Sequence, residues 1–315
     1  MMRDLKRLRS IIDNQITNHI KFRPLMGNKL KLWNDHQSWE DAEAAWDKTA
    51  SSAEQQTPIK KLKRMPNMPG ICKETANNLK WKAFKYMGLH DTDGKVREGF
   101  LKHPLKYGKS FLKSLFQKGR YTRDDDFFLF GIQDVEEFKT LLDNPESILI
   151  VGFSYCHKPF ECPSNRFSTD CIHDPKHPVC QQCFIGKSVN ALPEKRVVPL
   201  FITTIHYIGG KIFEIAHSNP GKQILFIITA CELTLEMFSD WGNMVDIKGI
   251  GVRLDGRICN TMKAFEISEI GTKPGLTVVL DRTQKRILDL IRYRKEGESL
   301  DHSTTKNRNT ASSNN

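Results

Sequence analysis

Seven of the chain's eight cysteines fall between residues 156 and 259. Clustering of this kind, where no secretory leader is read, points to metal or redox chemistry before disulfides. A buried thiolate is costly without a cation, and a zinc ion or an iron–sulfur cluster neutralises several together. Cys72 stands apart and is read as incidental. The others divide into two groups. Cys156, Cys231 and Cys259 each follow an apolar run. If those runs are parallel strands, their carboxyl ends share one rim and the three sulfurs converge on it. Cys162, Cys171, Cys180 and Cys183 lie in one irregular stretch with His173, His177 and three prolines. That stretch has too little apolar content for a core of its own, so a tetrahedral metal is its natural staple. Cys180-x2-Cys183 is the most specific piece, because two intervening residues let both sulfurs meet one metal. All seven are candidate ligands for zinc or for a [4Fe–4S] cluster, and which of them share a metal stays open.

Polar residues near the inferred rim could serve chemistry there. Glu232, next to Cys231, is a candidate acid or base, and Arg257 a candidate substrate partner; these two are the catalytic candidates. His206, Arg253, Thr203 and Thr204 fall at the same level, and His157 could replace a cysteine ligand, though the expected place for it is the exposed surface. Glu232 also suits a plain first-turn helix position, which the helix dipole favours. Gly186-Lys187-Ser188 lacks the first glycine of a phosphate loop and does not follow a strand. Asp91 to Gly94 lacks the later ligands of a calcium loop. Asp124-Asp125-Asp126 reads as a solvated turn and helix start.

These residues need elements to position them. Continuous apolar runs at 147–153, 197–202, 224–228 and 247–254, with a short one at 277–280, suit strands covered on both faces. Helical patterns fill the gaps at 205–217, 233–238 and 261–268. The expected fold class is α/β, a mostly parallel sheet with flanking helices and a cysteine-rich insertion. A basic helical N-terminal region precedes it. Residues 1–125 carry 26 Lys+Arg against 14 Asp+Glu, a balance of +12, while the remaining 190 balance at −1. The expected division is therefore a basic, mainly helical region 1–125 with a linker at 51–70, a cysteine-rich domain 126–285, and a disordered tail 295–315. Trp39, Ala42 and Trp46 share a helix face, and Phe111, Leu112, Leu115 and Phe116 form an apolar stripe read as core. No run reaches the roughly 18 apolar residues of a membrane span, and the start has no h-region, so a cytoplasmic protein is the expectation.

The motifs in order are Cys156-x5-Cys162-Pro163, then Cys171…Cys180-x2-Cys183, then Ala230-Cys231-Glu232-Leu233. Gly249 to Leu254 and Cys259-Asn260-Thr261 follow. Over residues 147–280 this order resembles the DUF116 family of uncharacterised cysteine-rich proteins. The spacing between Cys171 and Cys180 is longer than that family's, and residues 1–125 carry no resemblance. The resemblance implies a metal or iron–sulfur site and no established reaction. Redox or cluster-dependent catalysis with a small molecule or redox partner is the leading expectation. The alternative is a non-catalytic, zinc-stapled module whose basic region contacts nucleic acid or an acidic partner.

Overall fold

The sheet is built from strands whose successive side chains are buried on opposite faces. In the computed structural model, residues 33–66, 70–102, 104, 105, 107–109, 112, 121–245 and 247–311 are described, without the side chains of 240–246 and 298–311. Expectations for residues 1–32 lie outside them. Helices α1 (Trp39–Gln56), α2 (Lys73–Ala76), α3 (Leu79–His90) and α4 (Lys95–Lys102) come first. The hairpin β1 (Thr122–Asp124) and β2 (Phe127–Phe130) and helix α5 (Val135–Leu142) lead to β3 (Ser147–Ser154). After the cysteine insertion come α6 (Pro178–Gln182), α7 (Phe184–Ala191), β4 (Val197–Ile202), α8 (Ile205–Ser218) and β5 (Gln223–Ala230). The chain continues through α9 (Glu232–Val245), β6 (Lys248–Arg253), β7 (Asp255–Gly256), α10 (Met262–Glu269), β8 (Thr277–Val278) and α11 (Asp281–Ala311).

The six-stranded order is β1-β2-β6-β5-β3-β4. Pairs β3·β4, β3·β5 and β5·β6 are parallel, while β1·β2 and β2·β6 are antiparallel. The mostly parallel α/β sheet is thus present, with an antiparallel edge that the apolar runs did not foretell. Thr277–Val278 leaves that sheet and pairs antiparallel with β7. Alternation explains the double burial. Leu149, Val151, Phe153, Leu225 and Ile227 face a layer that includes Trp46, Phe138, Ile185 and Ile287. Ile148, Ile150, Ile224, Phe226 and Ile228 face Ile208, Ile212, Leu235 and Phe238. Both faces are dry, so polar alternation is absent from the sequence.

No separate N-terminal region is set off at residue 125, since the described residues belong to one compact unit. Ala42 and Trp46 are buried with the sheet's first layer, and Trp46 Nε1 donates to Gln181 O at 3.0 Å. Leu79, Ala83, Tyr86 and Met87 pack with Leu233, Cys259 and Phe265. The segment expected as a linker runs along the insertion instead. Ile59 N donates to Gln182 Oε1 at 3.3 Å, and Gln182 Nε2 to Thr57 O at 2.8 Å. Leu112 is 56% exposed, outside any core, and Phe111, Leu115 and Phe116 lie outside the described residues. The tail expected from 295 is helical as far as Ala311. Arg294, 2% exposed, fastens that helix by donating to Leu142 O and to Ser147 Oγ at 3.0 Å. Trp46→Phe keeps most of the apolar fill but deletes the indole donor, so a loss of about 1–2 kcal/mol is expected in urea unfolding.

Candidate functional site

The strand order fixes where a site can form. From β3 the chain moves outward to β4, then crosses back so that β5 lies on the other side of β3. The carboxyl ends of β3 and β5 are therefore the switch point, the place where open α/β sheets leave a crevice. Cys156 lies in the 3-10 turn directly after β3, and Cys231 stands between β5 and α9. Cys259 arrives from the loop between β7 and α10. All three are buried, at 5%, 5% and 3% exposure.

The three thiols line one pocket. Lys273 completes the set, its Nζ donating to Cys259 Sγ at 2.9 Å. Cys231 is the main reason Cys156 is held below the usual thiol value, with Lys273 adding to it. Cys156 in turn pushes Cys231 up to about 11, and Cys231 and burial raise Cys259. Burial alone would depress Lys273, but the three sulfurs together raise it. With the Lys273 ammonium bonded to Cys259, Cys156 is thus the one thiol of the three that is lowered. Tyr155, buried beside it, donates its hydroxyl to Ser268 O and stays protonated because burial raises it.

The insertion cysteines influence one another, and Cys171 and Cys183 pack against the core cluster that holds Cys156 and Cys231. Burial pushes Cys180 up to about 12, and Cys183, Cys171 and Cys162 push it further. Cys183, also at about 12, is raised first by burial and then by Cys171 and Cys162. Burial likewise raises Cys171. Lys158, 1% exposed, organises the loop: Nζ donates to Ser168 O at 2.8 Å, Asp170 O at 2.6 Å and Asn165 O at 3.4 Å. Burial lowers Lys158, while Cys162 and Cys171 oppose that shift. Gly186 lies against Cys180 O where any Cβ would overlap it. Gly186→Ala is expected to move the start of α7, cost about 1–3 kcal/mol and speed thiol labelling of Cys180 and Cys183.

Arg166 ties the two sets together. Its guanidinium donates to Lys158 O at 3.1 Å, Lys273 O at 2.6 Å, Cys156 O at 3.0 Å and Gly275 O at 2.7 Å. One planar fork thus positions the backbone of a cysteine and of both buried lysines.

Among the described residues, no group of three or more His, Cys, Asp or Glu side chains is placed to hold a metal ion. The eight cysteines stand as free thiols. Their donor chemistry suits zinc or iron–sulfur, but the described residues do not assemble three of them into a ligand group.

The other sequence candidates are spread around the rim. Glu232 points away from the trio: Arg123 Nη1 reaches its Oε1 at 3.4 Å, and its Oε2 abuts Gly70. It occupies the first turn of α9, where its side chain is largely buried. Arg257 is exposed, and its stem packs on Gly275. Arg253 pairs with Asp126 at 3.2 Å and Asp255 at 3.3 Å. His206 lies 3.2 Å from Met87 O. Thr204 caps α8 by accepting from Tyr207 N at 3.0 Å. His157 carries a buried Nδ1 without a partner, and burial lowers it to about 4. The Asp124–Asp126 run is a hairpin turn rather than a helix start. Asp125 takes φ +57°, and Asp126 accepts from Thr283 Oγ1 at 2.8 Å.

Sequence reasoning missed Lys273, Lys158, Arg166 and Glu269. Single charged residues in loops or at helix ends carry no periodic signal and are normally exposed. Glu269 Oε2 accepts from Ile205 N at 2.9 Å at the start of α8. Burial, then the neighbouring Cys259, raise it to about 8. Among the described residues no helix is long and apolar enough to cross a membrane. No family model, no curated protein and no solved structure matches this chain.

Proposed function

We propose that the chain is a cysteine-centred metal protein that carries an iron–sulfur cluster or zinc on Cys156, Cys231 and Cys259, with redox or metal-dependent chemistry at the strand ends. One observation supports this above the rest. Three buried cysteines separated by 75 and 28 residues in sequence line one pocket at the sheet's switch point, with Lys273 bonded to Cys259. A packed core gains little from gathering three weak donors, whereas a metal gains three ligands and leaves one position for a substrate. When bound, the metal would supply Lewis acidity or one-electron transfer. The chain's own contribution is orientation through Arg166 and charge compensation through Lys273. The insertion set Cys162, Cys171, Cys180 and Cys183 would take a closed, structural metal. The DUF116 resemblance agrees with this reading and adds no reaction to it.

Anaerobic purification with metal analysis and a visible spectrum tests the reading. An iron–sulfur chain is brown and contains iron and sulfide, a zinc chain is colourless, and a chain without metal refutes both. A second reading, nucleic-acid or acidic-partner binding by the basic segment, is favoured by the +12 balance of residues 1–125. It requires affinity that falls steeply with salt, because binding releases condensed counterions.

A further inference from the structure

Helix α4 and the helical residues 104, 105, 107–109 and 112 after it cover α8. Their inner side is filled. A Cβ on Gly99 would overlap the Phe213 ring, and Tyr107, 2% exposed, packs edge-on to that ring at 5.5 Å. Their outer side carries leucines instead: Leu101, Leu105 and Leu112 are 64%, 88% and 56% exposed. Leu105 and Leu112 are seven residues apart and share one helix face, with Gly108 in open space between them. Basic residues frame that face. Residues 95–112 hold five Lys+Arg and one acidic residue, Glu98, which pairs with Lys102 at 3.2 Å. Arg97 and Lys109 are exposed and make no ion pair among the described residues. We propose that this face docks on an anionic lipid surface, its leucines entering the acyl boundary and its basic residues meeting the headgroups.

Charge and shape select the occupant. A single exposed leucine needs no explanation, but three in one short stretch make a patch that a partner covers. The unpaired Arg97 and Lys109 require that partner to be anionic. A second copy meeting this face with its own would bring like charges together. Nucleic acid would satisfy the basic residues and leave the leucines in water. A protein groove grips an amphipathic helix by closing around its apolar face. Here α8 already holds the inner side, so only a strip is open, and a flat surface reaches it. A bilayer supplies both halves of the match, since its headgroups attract Lys and Arg while its acyl boundary takes leucine. The inference does not depend on the metal reading; it gives the basic charge a lipid partner in place of a nucleic acid.

The full chain, purified anaerobically, is sedimented with vesicles of phosphatidylcholine alone or with about one-third phosphatidylserine. Binding is expected to the anionic vesicles and not to the neutral ones. It should weaken at least about tenfold between about 0.05 and 0.5 M salt. Leu105→Glu should weaken it at least about tenfold, because a leucine leaves the acyl boundary and a like charge replaces it. Lys109→Glu should weaken it as well. Lys176→Glu makes the same change of charge at an exposed position in the cysteine insertion and should leave binding intact. Leu105 and Lys109 are exposed, so circular dichroism should show all three variants folded. Leu105→Trp should bind like wild type, with emission that shifts to the blue on anionic vesicles. Vesicle binding that survives Leu105→Glu, or that Lys176→Glu reduces as much as Lys109→Glu does, overturns the inference. So does binding to RNA or polyglutamate with none to vesicles, or a dimer that ignores vesicles and that Leu105→Glu dissociates.

Discussion

Arg166→Ala is expected to destabilise the fold by about 3–5 kcal/mol and to expose both cysteine sets at once. The guanidinium satisfies four carbonyl oxygens, on Cys156, Lys158, Lys273 and Gly275. Hydrogen bonds to a charged donor contribute about 1.5–3 kcal/mol each, and water replaces part of them because Arg166 is half-buried. It also lies 4.3 Å over the Phe160 ring. Lysine keeps the charge but not the fork, so Arg166→Lys should recover less than half of the loss. Denaturant unfolding gives the energy, and the rate of thiol alkylation shows whether Cys156 loosens with it. Unchanged alkylation would mean that Arg166 stabilises the loop without positioning the trio.

Raising the pH is expected to destabilise the protein through Glu269. Its carboxyl is raised from 4.5 to about 8, chiefly by burial. The folded state therefore keeps a proton that the unfolded state releases above pH 4.5. This contribution is fully present below 4.5 and is lost as pH rises toward 8, a total of roughly 4–5 kcal/mol. Glu269→Gln carries no proton to lose, and its amide oxygen still accepts from Ile205 N. Stability measured by urea unfolding between pH 5 and pH 8 should therefore fall in wild type relative to the variant. Parallel curves would show that Glu269 is solvated and ionised in the fold.

The sheet was legible because parallel strands buried on both faces leave uninterrupted apolar runs, as in Ile224 to Ile228. From those runs the ends of the strands could be located, and with them Cys156 and Cys231. The hairpin at Phe127–Phe130 was hidden because four apolar residues fit strand and helix alike. Net charge misrepresented residues 33–102: it counts exposed lysines, whereas Trp46, Ala83, Tyr86 and Met87, which bind the region to the domain, are few and uncharged. Glu232 adjoins Cys231 in sequence, yet its carboxylate meets Arg123, and Arg257 is exposed in its loop. Lys273, Glu269 and Arg166 act at the site because they are buried, and burial of a lone charge cannot be read from its neighbours in sequence. The tail was placed by its Ser, Thr and Asn content, yet the helix begun at Asp281 continues beyond its buried anchor Arg294.

Metal content of three anaerobically purified chains tests the central claim most directly: wild type, Cys231→Ser and Cys72→Ser. Cys231 lines the same pocket as Cys156 and Cys259, while Cys72 is not among that pocket's lining and its Sγ lies 3.0 Å from Thr75 Oγ1. Wild type and Cys72→Ser should carry equal metal, and Cys231→Ser should lose the trio's share while keeping the insertion's. Equal metal in all three, or none in wild type, would contradict a metal held by Cys156, Cys231 and Cys259.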